Sequence, residues 1–129
     1  MELAPCARVG VPPRAVPGRG PHGLGDLPMP AYWIARSKIH DPAQYKRYTD
    51  LVPAIIARHH GKILARGGRY RILEGPEHFE RFVVIEFPSL DQAVACHRSA
   101  EYQAAAALRR AGAGEVELVI VESGDATPV

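Results

Sequence analysis

Only two cysteines occur in the 129 residues, Cys6 and Cys96. A disulfide framework is thereby excluded as the source of stability, and a reducing cytoplasmic setting is expected. No apolar run approaches the roughly 20 residues that a membrane-spanning helix needs, so no membrane partner is expected. Charge of either sign is also modest. Sixteen Lys and Arg against 14 Asp and Glu leave a formal +2, too little to single out a polyanion as partner. Metal-ligand spacing is missing: His59 and His60 are adjacent, His78 stands alone, and neither H-x-x-x-H nor C-x-x-C occurs. No metal is expected. Past residue 30 there is no G-x-G-x-x-G and no P-loop, which removes the nucleotide-cradling loops, and no cofactor is expected.

What is present falls into unequal parts. Residues 1–30 carry seven of the 12 prolines and five of the 12 glycines, with almost no aliphatic periodicity. Residues 1–29 are therefore expected to be a disordered leader, 30–123 a single folded domain, and 124–129 a flexible tail. A targeting peptide would need an amphipathic helix that prolines this dense would break, and a start at Met29 is the simpler alternative.

Within the domain, AYWIARSKI (31–39) alternates with period two and is rich in aromatic and β-branched residues, the pattern of a strand. Asp41 and Pro42 then supply an N-cap and a first helical position, and Tyr45, Tyr48, Val52, Ile55, Ile56 and His59 recur at helical spacing. Pro53 inside that pattern predicts a kink, because it leaves the Thr49 carbonyl without an intrahelical donor. Gly61 is placed to end the helix. A long second strand is expected over 62–75, bent at Gly67 and Gly68, and RFVVIEF (81–87) reads as a buried third strand. Ser89 with Gln92 forms a capping-box pattern, Ser99 caps a continuation to Ala111, and EVELVIVE (115–122) is the fourth strand.

The order β-α-β-β-α-β is that of a ferredoxin-like α+β sandwich, a four-stranded antiparallel sheet with its helices on one face. Strands apolar on both faces need a second cover, and two sheets meeting as a homodimeric barrel would provide it. The stretches YWIAR, DPAQYKRY, GGRYRILEG, RFVVIEFPS, SAEYQAAAALR and LVIVE together resemble the family catalogued as domain of unknown function 1330, in the dimeric α+β barrel group. That resemblance covers about ninety residues and implies the fold and dimerisation, with no agreed activity. The family usually carries an aromatic pair where this chain has Cys96 and His97.

Adjacent helix positions point about 100° apart, so Cys96 and His97 cannot form a thiolate-imidazole pair with each other, and burial in the core is the expected role of the cysteine. Arg36, Arg66 and Glu86 are polar residues in otherwise apolar strands. Alternation puts Tyr32, Ile34, Arg36 and Lys38 on one side of the first strand, and Phe82, Val84 and Glu86 on one side of the third. A cleft between the sheets, binding a small molecule through Arg36, Arg66 and Glu86 with Ser99 and Tyr102 at its rim, is one expectation. A structural ion pair between Arg36 and Glu86 is the competing one. Tyr45, Tyr48 and Tyr102 also have a packing explanation between helix and sheet. The alternative function is a cofactor-independent enzyme of monooxygenase or isomerase type, with His97 or Glu86 as acid or base. A third reading is a purely structural or interaction protein. RGGRYR and the strand order raise RNA binding, but ERFVVIEF lacks the glycine-aromatic pattern of the RNA recognition motif, so no nucleic-acid partner is expected.

Overall fold

The computed structural model describes residues 29–126, and the expected leader up to residue 28 and the tail residues 127–129 lie outside the described residues. Pro30–Ser123 is one compact unit. Its elements are β1 (Ala31–Ile39), α1 (Pro42–Arg58), β2 (Lys62–Arg66), β3 (Arg81–Phe87), α2 (Leu90–Arg98), α3 (Ala100–Arg110) and β4 (Gly114–Glu122). The sheet runs β2-β3-β1-β4 with every neighbouring pair antiparallel. This is the α+β architecture expected from the element order. Among the described residues no helix is long and apolar enough to cross a membrane.

Local chemistry accounts for the helix ends. The Asp41 carboxylate accepts the Gln44 N–H at 3.2 Å, and Pro42 supplies a fixed φ where no donor is needed. At the other end the residue that turns left-handed is His60, with φ 67°, while the Gly61 N–H closes on the Ile56 carbonyl at 2.9 Å. Gly61 is needed for a different reason: a Cβ there would lie 2.5 Å from Ile56 Cγ2 and 2.8 Å from the Phe87 ring. Ser89 Oγ accepts the Gln92 N–H at 3.1 Å. Ser99 serves two helices at once, donating to the Cys96 carbonyl at 2.7 Å and accepting the Tyr102 N–H at 3.2 Å. The α2–α3 junction is therefore set by one hydroxyl.

One expectation about backbone course is corrected. The strand predicted over 62–75 stops at Arg66. A register shift between Ile63 and Ala65 inserts Leu64 as a bulge, Gly67 takes φ 71°, and after the bond from its N–H to the Phe82 carbonyl the chain leaves the sheet. Residues 67–80 form an irregular arch pinned by Phe79, which is buried, and by Tyr70, whose ring lies tilted 4.8 Å from that of Phe82. As the sequence reading had it, α1 runs through Pro53 as one element, and no N–H reaches the Thr49 carbonyl from position 53. That carbonyl finds its donor elsewhere, in Arg66 Nη2 at 2.9 Å.

The core lies between the helices and one sheet face. Trp33 and Ala35 of β1, Ile85 and Phe87 of β3, Ile56 of α1 and Tyr102 of α3 are all buried there. Burying each of the large side chains contributes on the order of 2 kcal/mol. The opposite face carries Ile34, Val119 and Val121, which are 41%, 58% and 48% exposed, so an apolar patch remains uncovered in the single chain.

Candidate functional site

The antiparallel register separates residues that alternation alone placed together. Arg36 stands opposite Phe82 and Glu117, whereas Glu86 stands opposite Tyr32 and Lys62. Their rows are four strand positions apart, roughly 13 Å at the usual rise. Arg36 is instead bonded to Glu117, at 2.8 Å from Nη2 and 3.1 Å from Nε, and its guanidinium lies 4.4 Å from the Phe79 ring centroid. Both partners of that ion pair are substantially exposed, so it contributes little to stability. The expected pair of Arg36 with Glu86 does not form.

Arg66 is on the other side of the sheet altogether. Without a bulge, Lys62, Leu64 and Arg66 would share the outer face; the extra residue moves Ala65 opposite Val84 and Arg66 opposite Val83, toward the helices. There Arg66 lines a narrow slot between α1 and the sheet, with a cavity volume of about 30 Å³, room for little more than a water. The walls are apolar, formed by Trp33 and Ala35 on β1, Val52 on α1, and Val83 and Ile85 on β3. Its polar lining is Ser37 on β1, Tyr45, Tyr48 and Thr49 on α1, Arg66 on β2 and Arg81 on β3. The Arg81 guanidinium lies 5.8 Å from the Tyr45 ring centroid. Arg81 was not anticipated, although it alternates in phase with Val83 and Ile85 and so had to face inward.

The Pro53 gap and the slot are one feature. Replacing Pro53 by Ala is expected to raise stability by about 1–2 kcal/mol, because the helix-interior cost of proline outweighs the entropy it removes from the unfolded chain. The same change returns an N–H to the Thr49 carbonyl and loosens Arg66. Denaturant unfolding together with the mobility of the Arg66 side chain by NMR checks both halves.

Behind the slot runs a buried polar string. The hydroxyls of Tyr48 and Tyr102 lie 2.7 Å apart, and Arg109 Nη2 donates to Tyr102 Oη at 3.3 Å. Arg109 is only 6% exposed, its guanidinium lies 5.1 Å from the Tyr48 ring centroid, and its Nε has no hydrogen-bond partner. Burial, reinforced by Tyr102, pushes the Tyr48 phenol well above its usual range against the opposing influence of Arg109. Tyr48 therefore keeps its proton at neutral pH. Tyr102, expected at a cleft rim, is fully buried as the middle of this string, and Ser99 is occupied in capping.

His97 and Glu86 lie on opposite sides of the sheet and cannot exchange a proton. His97 packs 5.7 Å from the Trp33 ring and 5.2 Å from the Tyr102 ring, on the helix side. Glu86 shares the outer face with Tyr32 and Lys62. Cys96 is fully buried and unbridged, and burial pushes its thiol up to about 11, an unreactive state at neutral pH.

Burial, followed by the charges of Arg110, Arg109 and Arg98, holds His97 below the ordinary imidazole range. An unfolded chain takes up its proton near pH 6.5 while the folded one resists, so this group's contribution is intact above that pH and is lost below it. His97→Phe is expected to lessen the fall in Tm between pH 7.5 and 5.5. A pH series of thermal melts on the two proteins checks this.

The match to known proteins follows the folded unit. The family model described as Domain of unknown function (DUF1330) matches residues 30–123. No curated protein matches the chain. Among solved structures, a protein of unknown function from Rhodopseudomonas palustris is 20% identical, with a TM-score of 0.62 over 75% of this chain and 84% of that one. A dimeric protein of unknown function and ferredoxin-like fold from Bacteroides fragilis is 17% identical, with a TM-score of 0.53 over 73% and 96%. SnoaB, a cofactor-independent oxygenase from Streptomyces nogalater, is 16% identical, with a TM-score of 0.51 over 78% and 99%. At these identities the likeness is one of fold. With its domain matched from end to end, the chain belongs to the DUF1330 family.

Proposed function

We propose that this protein is a homodimeric α+β barrel in which each protomer binds a small organic molecule in the slot between α1 and the sheet. The lining of the slot carries the reading: apolar walls with a few polar groups suit a small ligand, and since the cavity of about 30 Å³ holds little more than a water, α1 must move off the sheet to admit one. Arg66, expected from the sequence as a binding residue, lines it. Arg36 and Glu86 belong to the outer face, where they take part in pairing two sheets. The exposed Ile34, Val119 and Val121 support that pairing, since an apolar sheet face of this kind requires a cover. The Bacteroides fragilis protein of the same fold is dimeric. The buried, unbridged Cys96 fits a cytoplasmic setting.

The test uses Trp33, the single tryptophan of the chain, as a reporter inside the slot. A metabolite that binds there should raise Tm by mass action and shift the Trp33 indole resonance. Both responses should be lost in Ser37→Leu, which fills the slot. Binding that raises Tm and leaves Trp33 unmoved would place the ligand elsewhere and defeat the reading.

An enzymatic reading draws on Tyr48, a protonated phenol on the slot backed by Tyr102 and Arg109. It would make the protein a cofactor-independent oxygenase or isomerase, the first being what SnoaB is. Turnover of a slot ligand, abolished by Tyr48→Phe with binding retained, separates it from simple binding.

A further inference from the structure

The arch between β2 and β3 presents an apolar side chain that its own chain does not receive. Leu73, near the middle of residues 67–80, is 88% exposed, more than any other large apolar residue among those described. It does not sit on a loose tip, because the arch is tied to the sheet on both flanks. Tyr70 lies against Phe82 on one; on the other the Glu80 N–H donates to the Ser37 carbonyl at 2.9 Å, and His78 Nε2 is 3.0 Å from Glu115 Oε1. Between those ties the arch stands off the sheet over a hollow of about 370 Å³ bordered by Arg36, Phe79 and Phe82. A second, open trough of about 560 Å³ adjoins it on the same face, with Ile34, Phe82 and Val119 in its lining and Arg36 and Glu117 at its side. Beside Leu73 stand Arg71 and Glu74, with Arg69 and Glu77 beyond them. Among the described residues none of these four forms an ion pair, and Arg71 donates to the Tyr70 carbonyl at 3.3 Å.

From this we infer that the arch of one copy seats on the outer sheet face of a second copy, with Leu73 in the trough between Ile34, Phe82 and Val119. The inference rests on the homodimer reading above and names the segment that makes the contact. The arch packs on Phe82 of β3 and Arg36 of β1, whereas the trough opens over β1 and β4. A twofold axis running along the strands turns the partner's arch onto the β4 side, where it meets the trough. The same operation seats this chain's arch on the partner, so projection and hollow are filled together, twice per dimer. Charge agrees with the fit: Arg71 and Glu74 bring a cation and an anion to a trough flanked by Glu117 and Arg36. Exposed charges of this kind fix the orientation of a contact more than its affinity, which falls to the buried leucine. Because its ties hold the arch in place beforehand, little further ordering accompanies association.

The experiment measures dimer dissociation of the full chain by sedimentation and maps the contact by cross-linking. Leu73→Ser is expected to weaken dimerisation on the order of 30-fold, the loss of an interface anchor, while Leu73→Met keeps the apolar volume and stays close to the parent. Leu73 is exposed in the single chain, so neither change should alter the fold, and circular dichroism checks that. For cross-linking, Cys6→Ser removes a competing thiol, and Cys96 is buried. A Leu73→Cys chain mixed with a differently tagged Val119→Cys chain and treated with a short bismaleimide should give the cross-linked heterodimer. Leu51→Cys, at an exposed position on α1, should give none with the same partner. A dimer unaffected by Leu73→Ser, or one that joins two Leu73→Cys chains to each other and not to Val119→Cys, overturns the inference and leaves the homodimer standing. A parent protein that sediments as a monomer removes the homodimer and the arch contact together.

Discussion

Replacing Tyr102 by Phe is expected to cost roughly 3 kcal/mol, the scale of removing one partner from a buried charge. The single oxygen lost is the acceptor for Arg109 Nη2 and the partner of the Tyr48 hydroxyl. Arg109 is 6% exposed and its Nε is already without a partner, so the cation would be left with little beyond the Tyr48 ring. The opposite experiment is equally informative. Arg109→Met removes the charge and leaves the two tyrosine hydroxyls bonded to each other, and it should be neutral or stabilising by about 1–2 kcal/mol. Combining Arg109→Met with Tyr102→Phe should recover much of the single-mutant loss, since the stranded cation is then gone. Urea unfolding of the four proteins measures the coupling. A Tyr102→Phe protein as stable as the parent would mean that the hydrogen bond to Arg109 does not persist in solution.

The second large effect concerns the outer sheet face. Val119→Arg is expected to weaken dimerisation on the order of 100-fold, a hot-spot-sized loss, leaving monomer at micromolar concentration in light scattering. Val119 is 58% exposed, alternates along β4 with Glu117 and Val121, and borders a trough that includes Ile34 and Phe82. In a twofold-symmetric contact each substitution appears twice, so two new cations are brought into an apolar patch formed by Ile34, Val119 and Val121. An unchanged dimer would show that β4 lies outside the interface. A parent protein that is already monomeric would remove the barrel altogether.

Much of the fold was legible because it depends on local patterns. The alternation in AYWIARSKI, with Trp33 and Ala35 inward and Ile34 and Arg36 outward, is visible residue by residue. Asp41, Ser89 and Ser99 cap the helices as their side chains predict, since a cap is a contact across three positions. The expected site was less legible. Arg36 and Glu86 do share a face, as alternation requires, but the register sets them four rows apart, and register is decided by strand ends and turns distant from either residue.

Arg66 shows the limit most directly. Its residue type and its strand could be read from the sequence, and its face could not, because the one-residue bulge at Leu64 reverses the alternation there. Tyr102 likewise looked like a rim hydroxyl, while the packing of α3 on α1 made it the centre of a buried string with Tyr48 and Arg109.

By itself the sequence determined which segments are strands and helices, where the helices begin, and which strand residues point to a common side, all consequences of spacing and side-chain chemistry within a few residues. Only the tertiary structure decided where β2 leaves the sheet, that Arg66 fills the carbonyl Pro53 leaves open, and that Arg81 joins it over an apolar slot. Those outcomes depend on contacts between residues 15 or more positions apart, whose partners are chosen by packing and register rather than by the local chain.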